Sequence, residues 1–399
     1  MNSEMISCQN SVVSEILMKC ISGRSITRNE ILLLLKSDEI DSLLYSAALV
    51  RNIYKKRIIT YSRKIFINII NLCKDYCGYC TYRKEPSSKQ AVLMKPNEIL
   101  ELASLGYKYK CTEALIVSGE SPEKKYEKAR EWLSSLHYKS TVEYVADISD
   151  KILRKTGLLP HSNLGILSLD EMRMLKDNNV SLGLMLESSS DRLMNKGMAH
   201  EYAPSKNPNL RFKTIENAGK LKIPLTTGIL IGIGETAEEV VDSILLIGNL
   251  HSRFGHIQEV IIQNFRPKAM TKMENSPPAE MNFFLKVVAI SRLLLPDMNI
   301  QVPPNLSPYN YGTFIDAGIN DWGGISPVTI DHVNPEYAWP NIRELKQNTE
   351  LKNKTLRARL PIYPEFIKAE FVSSELIHHI DELADEKDGL VKEDYLNDI

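Results

Sequence analysis

The segment Lys64-Ile-Phe-Ile-Asn-Ile-Ile-Asn-Leu-Cys-Lys-Asp-Tyr-Cys-Gly-Tyr-Cys-Thr-Tyr-Arg83 joins two unlike halves. Lys64–Ile70 is rich in β-branched residues and predicts a buried strand. Directly after it come Cys73, Cys77 and Cys80, three of the six cysteines of the chain, spaced C-x-x-x-C-x-x-C. Clustered cysteines in a long chain point to metal binding or redox chemistry rather than disulfides. Three thiolates can hold three irons of a [4Fe–4S] cluster and leave the fourth iron open to a non-protein ligand. A zinc site would want a fourth ligand at matched spacing, and no Cys or His follows within the next 30 residues. Gly78 allows the backbone to turn close to the sulfides, and Tyr79 is placed to shield one side of the cluster from water.

Outward from this loop, short β-branched runs alternate with amphipathic stretches. Strands are expected at Lys64–Ile70, Ala114–Ser118, Thr141–Asp147, His161–Leu167, Ser181–Glu187, Leu225–Ile233, Gln258–Phe265 and Asn299–Pro303. Helices are expected between most of them, for example Pro96–Leu105, Ser168–Asn178, Leu210–Leu221 and Ala237–Leu250. That alternation, with near-continuous apolar strands, predicts an α/β fold, a (β/α)8 TIM-type barrel. The cysteine loop would then lie at its C-terminal mouth, where barrels place chemistry. Residues 1–60 form an N-terminal helical extension, with Val12, Val13, Ile16 and Leu17 at helical spacing. The barrel spans 61–332. A segment rich in Pro, Trp and Tyr over 333–369 packs on it. An acidic tail spans 370–399, and its last 19 residues, Asp381–Ile399, are expected to be mobile or a frayed helix.

Apolar residues make up 43% of the chain and charged residues 25%, an ordinary globular balance. Lys plus Arg is 49 against 50 for Asp plus Glu, so the net charge is −1 and no global basic field attracts nucleic acid. No apolar run approaches a membrane span, and the N-terminus lacks the basic and apolar regions of a secretory signal. The expected compartment is the cytoplasm.

The C-x-x-x-C-x-aromatic-C loop after a barrel's first strand resembles the radical S-adenosylmethionine superfamily. The resemblance implies a [4Fe–4S] cluster held by Cys73, Cys77 and Cys80. Its open iron would be chelated by the amino and carboxylate groups of S-adenosylmethionine. Reductive cleavage of the sulfonium would yield a radical that takes hydrogen from substrate, so a low-potential electron donor is implied as well. In the same resemblance Ser118, Gly119 and Glu120 occupy the turn that contacts the methionine amino group. Glu187 and Arg211 match an acid and an arginine that contact S-adenosylmethionine. Leu225-Thr-Thr-Gly-Ile-Leu-Ile-Gly-Ile-Gly-Glu-Thr236 resembles a G-x-I-x-G-x-x-E strand, matched at Gly228, Ile229, Gly232 and Glu235, whose backbone lies against the adenine. Thr236 reads as a helix N-cap paired with Glu239.

Longer strings are similar to one family within that superfamily, the subunit-1 or CofG-type deazaflavin synthases. They are Cys77–Tyr82, Thr156–Asn163, Gly183–Ser188, Asp321–Thr329, Asp331–Pro335 and Arg359–Ile367. The chain departs from that family in having Glu120 where Asp is frequent and Lys74 where Arg is common. The resemblance implies a carbon–nitrogen lyase in the biosynthesis of coenzyme F-420. Its substrate would be a hydroxybenzyl–ribityl-diaminouracil adduct made by a CofH-type partner subunit. Hydrogen abstraction, ring closure and release of ammonia would form the deazaflavin. Candidate substrate contacts are His161, Asn163, Asp316, Asp321 and Trp322, with Asn320, Asn305 and His332 behind them, and Tyr76 beside Tyr79 in the cysteine loop. The alternatives are a related radical enzyme of the biotin-synthase or tyrosine-lyase type, the CofH subunit included, and a non-catalytic iron–sulfur or zinc protein.

Overall fold

The computed structural model describes residues 9–396. Three helices, α1 (Ser11–Ile21), α2 (Arg28–Lys36) and α3 (Ile40–Lys55), lead into the long strand β1 (Ile58–Ile70). There follow α4 (Pro96–Lys108), β2 (Glu113–Ser118), α5 (Glu127–Ser135), α6 (Thr141–Thr156), β3 (Leu159–Asn163), α7 (Leu169–Lys176) and β4 (Ser181–Gly183). Next come α8 (Pro208–Lys220), β5 (Leu225–Ile231), α9 (Ala237–Phe254), β6 (Ile257–Asn264), α10 (Met281–Leu294), β7 (Asn299–Gln301), α11 (Thr313–Asp316) and β8 (Asp321–Ile325). The remainder holds α12 (Ile342–Leu351), β9 (Thr355–Arg359), α13 (Ser374–Leu383) and α14 (Glu393–Leu396).

Strands β1 to β8 run parallel in order and close, because β1 pairs with both β2 and β8. The chain is therefore an eight-stranded α/β barrel of TIM type. The length of β1 allows a further pairing. Its first half, Ile58–Ser62, also carries β9 in parallel register, while its second half pairs with β2. Every residue of β5 is buried, as a strand covered on both faces requires. Helices α2, α7 and α9 begin with reciprocal capping boxes, Thr27 with Glu30, Ser168 with Glu171 and Thr236 with Glu239.

Three expectations fail, each for a physical reason. Thr141–Asp147 is not a strand but the start of α6. Its β-branched residues obscure a helical repeat in which Val142, Val145, Ser149, Ile152 and Leu153 share the buried face. Ser140 caps the N-terminus, and Gly157 closes the C-terminus in the left-handed conformation. The eighth strand is the Gly-rich Asp321–Ile325, so Asp321 and Trp322 lie within a strand and not after the last one. The C-terminal residues up to 396 are not a loose tail. Leu376, Ile380 and Leu383 interleave the acids at helical spacing and are buried, Val391 N–H donates to the Ala358 carbonyl (3.0 Å), and Tyr395 Oη donates to the Cys111 carbonyl (3.1 Å).

The barrel floor is closed by charge. Arg359, at the end of β9, donates to Asp321 of β8 (Nε–Oδ2 2.7 Å) and to Glu259 of β6 (Nη2–Oε1 2.9 Å). Tyr363 and Thr226 complete the Glu259 carboxylate. All three charged side chains are buried. Removing the cation strands two carboxylates away from water, so Arg359→Met should lower the unfolding free energy by about 3–5 kcal/mol at pH 7, measured by urea denaturation.

Burial also holds several imidazoles in the neutral form. It pushes His161 and His256 down to about 4, and His200, with help from Lys206 and Arg211, to about 2. The unfolded chain takes up protons at these sites near pH 6.5 and the folded chain does not. The stability they contribute is present above that pH and is lost as pH falls toward 4. The urea midpoint should decline across that window, and less steeply in His256→Gln.

Candidate active site

The cysteine loop leaves β1 and is fixed by backbone bonds to the end of β2. Gly119 N–H donates to the Ile70 carbonyl (2.8 Å), and Lys74 N–H donates to the Glu120 carbonyl (2.8 Å). Glu120 N–H donates to Cys73 Sγ (3.2 Å). On the other side, Gly78 N–H donates to the Ala199 carbonyl (2.7 Å) and Tyr76 N–H to that of Tyr202 (2.8 Å). Asn71 ties the loop to the following segment, donating to the Gln90 carbonyl (2.9 Å) and accepting from Val92 N–H (2.8 Å).

Cys73, Cys77 and Cys80 line one side of a cavity of about 330 Å³ at the barrel mouth. Among the described residues no three His, Cys, Asp or Glu side chains converge on a single-ion site. A cluster needs no such convergence, since each thiolate takes a different iron. Burial pushes the Cys73 thiol up to about 12 and Cys77 higher still. In the protein's own field these thiols stay protonated, and a cationic cluster is what would favour the thiolates. The donor set therefore fits three ligands to a cluster with one iron left over.

The rest of the lining carries charge of both signs. Glu187 sits at φ 66°, a left-handed conformation rare for glutamate. It is held there by its N–H to the Gly228 carbonyl and by its own carbonyl accepting from Leu230 N–H, each 3.0 Å. Its carboxylate pairs with Lys206. Arg211 donates to the Ser205 (Nε–O 3.0 Å) and Met185 carbonyls. Glu120 is raised, chiefly by burial, against the favourable field of Arg211, and it accepts from Ile166 N–H (3.1 Å). Two acids and two bases around one cavity suit a zwitterionic ligand.

Ser118, Gly119, Glu120, Glu187, Arg211 and Tyr79 all reach this cavity with the cysteines. Tyr79 Oη lies 3.2 Å from His200 Nε2, which fixes the ring beside the loop. Asn163 lines the cavity, and so does Trp322, although the indole N–H is engaged by Thr349 (3.1 Å). The structure does not bring the other sequence candidates to this cavity. Gly228 packs where a Cβ would lie 2.1 Å from the Ile261 carbonyl. Gly232, at φ 100°, packs on Ala279, its N–H held by the Glu235 carboxylate (2.7 Å), and Leu230 is the β5 residue that faces the cavity. His161 lies lower in the barrel, accompanied by Ser181 (2.6 Å). Asp316 pairs with Lys352 on the outer surface, and Asp321 belongs to the floor ion pair. Asn320 bonds Arg292 (2.7 Å), Asn305 bonds Asp331 (3.0 Å), and the His332 ring packs edge-on against Phe66.

Sequence reasoning missed Lys64, Lys206, Gln301, Lys268, Asp331 and Trp339, which also line the cavity. Lys64 carried a usable signal, a charged residue opening an otherwise apolar barrel strand. Lys206 ends a single 3₁₀ turn, Pro204–Lys206, too short to show a period.

A Cβ at Gly119 would lie 2.0 Å from the Leu72 carbonyl oxygen and 2.8 Å from Cys73 Cα. Gly119→Ala should push the β2 turn off the cysteine loop. After anaerobic reconstitution it should retain less than half the iron of the wild type, with an unchanged far-UV circular dichroism spectrum.

Comparison with known proteins agrees with this geometry. A family model described as the Radical SAM superfamily matches residues 67–247. The 7,8-didemethyl-8-hydroxy-5-deazariboflavin synthase of Methanocaldococcus jannaschii is 46% identical over 358 residues, covering 90% of this chain and 98% of that protein. The FO synthase of Nocardia farcinica is 41% identical over 97% of this chain but only 46% of its own length. Among solved structures, the FeFe-hydrogenase maturase HydG of Carboxydothermus hydrogenoformans shares the fold at 19% identity, with a TM-score of 0.72 over 93% of this chain and 84% of that one. No described helix is long and apolar enough to cross a membrane. With the three-thiol loop at the mouth of a closed barrel and close identity along nearly the whole of the M. jannaschii enzyme, the chain belongs to the radical S-adenosylmethionine family of 7,8-didemethyl-8-hydroxy-5-deazariboflavin synthases.

Proposed function

We propose that this chain catalyses the ring-closing half of deazaflavin formation, as a carbon–nitrogen lyase of the subunit-1 type. Its substrate is the adduct of a hydroxybenzyl group and ribityl-diaminouracil, and it releases ammonia. A CofH-type partner supplies the adduct, a low-potential donor supplies electrons, and the reaction takes place in the cytoplasm. The observation that carries this reading is a single cavity of about 330 Å³ whose lining joins the three thiols to Glu187, Lys206 and Arg211 and continues into the barrel.

When bound, the cluster and S-adenosylmethionine supply the one-electron chemistry that removes a hydrogen atom from substrate. The chain's own residues bind, orient and exclude water. Cys73, Cys77 and Cys80 hold the cluster. The Ser118–Gly119–Glu120 turn and the Glu187 and Arg211 pair receive the amino and carboxylate groups of S-adenosylmethionine. Lys206 pairs with the Glu187 carboxylate and so fixes its orientation. Phe66, Tyr82 and Trp339 give the cavity aromatic walls that suit a hydroxybenzyl and a pyrimidine ring. The partner module is supported by the N. farcinica FO synthase, in which more than half of the chain lies outside the match.

The test is fluorescence. The anaerobically reconstituted protein is mixed with S-adenosylmethionine, a reductant, tyrosine, ribityl-diaminouracil and a CofH-type partner. Deazaflavin emission that requires both proteins is the expected result. Emission from the partner alone, or release of 5′-deoxyadenosine without emission, would remove this substrate assignment. Cys77→Ala should lose cluster absorbance and emission together.

A further inference from the structure

Beneath the main cavity the barrel holds a second chamber of about 130 Å³. By the measure on which one water needs about 10–15 Å³, it has room for on the order of ten waters. The two spaces share Lys64, Asn163 and Gln301 as walls. Lys64 and Gln301 are 7% and 8% exposed. Neither they nor Asn163 has a side-chain hydrogen-bond partner among the described residues. The Lys64 ammonium lies over the Trp339 ring (4.7 Å to the centroid), an interaction that leaves its N–H donors unused. Three side chains with unused donors and acceptors around one space point to a ligand or to waters that a ligand replaces.

We propose that this lower chamber is the subsite for an uncharged polyhydroxyl chain, the ribityl tail of the substrate, held by Lys64, Asn163 and Gln301. The inference rests on the function proposed above and adds the orientation of the substrate within it.

Three features select a polyol. First, the walls mix donors and acceptors. Lysine only donates, the two amides do both, and the Glu113 carboxylate only accepts, which matches hydroxyls that each donate and accept. Second, these groups come from β1, β2, β3 and β7 and so surround the space, whereas a flat pyrimidine offers its donors and acceptors in one plane. The aromatic walls that fit a ring, Phe66, Tyr82 and Trp339, border the upper cavity and not the lower chamber. Third, the charged groups below are already satisfied by one another. Arg359 is occupied by Asp321 and Glu259. With Glu113 and Lys64 the set holds three acids against two bases, which disfavours a phosphorylated tail. The reacting part of the substrate must lie near the cysteines, so the inert tail points down the barrel.

The deazaflavin product and its analogue with methyl in place of ribityl are titrated by fluorescence into reconstituted wild type, Asn163→Leu and Gln301→Leu. The wild type should bind the product at least about tenfold more tightly than the analogue. Each variant should lose most of that difference while binding the methyl analogue as the wild type does. Equal affinity for the two ligands, in a wild type that makes deazaflavin, overturns the subsite and leaves the function standing. Equal losses for both ligands in the variants also overturn it, since the side chains then act on the fold. Absence of deazaflavin from the coupled assay overturns the function and the subsite together.

Discussion

The site depends on the parallel register between β1 and β2. Lys64 to Ile67 pair in step with Glu113 to Ile116, and the register shifts between Asn68 and Ile70. That irregularity brings the end of β2 against the start of the cysteine loop. Ile70 accepts from Gly119, Cys73 accepts from Glu120, and Glu120 accepts from Lys74. No side chain stands between the two segments at Gly119. The thiols are positioned by backbone geometry, which a substitution perturbs only where it adds a Cβ. Hydrogen bonds of this kind also satisfy loop N–H and C=O groups that burial would otherwise leave unpaired.

The barrel interior divides its polar groups by height. At the bottom, Arg359, Asp321 and Glu259 form a closed set in which each charge has a partner. Midway, Lys64, Asn163 and Gln301 have no side-chain hydrogen bond among the described residues. At the mouth, the Glu187–Lys206 pair shares the cavity with the thiols. A buried ion pair adds little net stability over an apolar core, yet losing one partner is costly. The floor therefore fixes β6, β8 and β9 to one another and spends no polar capacity on ligands. The middle tier keeps its capacity open. Lys64 is lowered, chiefly by burial, with Glu113 and Asp331 opposing and Arg359 reinforcing the effect.

Much of this was legible in the sequence and some was not. The cysteine loop and the strand at Leu225–Ile231 were visible because local spacing encodes them, whereas the turn at Ser118–Glu120 has no signal of its own and followed only from the family resemblance. The capping box at Thr236 and Glu239 was visible by its spacing too. Thr141–Asp147 misled because β-branched residues at a helix start satisfy strand propensity, while the packing that decides the matter comes from α4 and α7. Asp321–Ile325 was hidden because two of its five residues are glycine, which propensity assigns to loops. Asp316 and Asp321 show the limit most plainly. They lie five positions apart in one polar stretch, yet one faces solvent and the other is wholly buried. Only the closure of the barrel separates them.

That closure also explains why the polar middle tier is affordable. The apolar contacts that stabilise the barrel lie outside it, between strands and helices, where Ile65, Ile67 and Ile69 of β1 are fully buried. The inward positions of the same strand, Lys64 and Phe66, line the cavity. Alternation of period two thus assigns stability to one face of β1 and recognition to the other. A polar residue on the inner face weakens no helix contact. An apolar replacement there would remove a ligand partner without unseating the fold. The two tasks are separable on one strand, and β1 can carry the barrel seam, the cluster loop and a cavity wall at the same time.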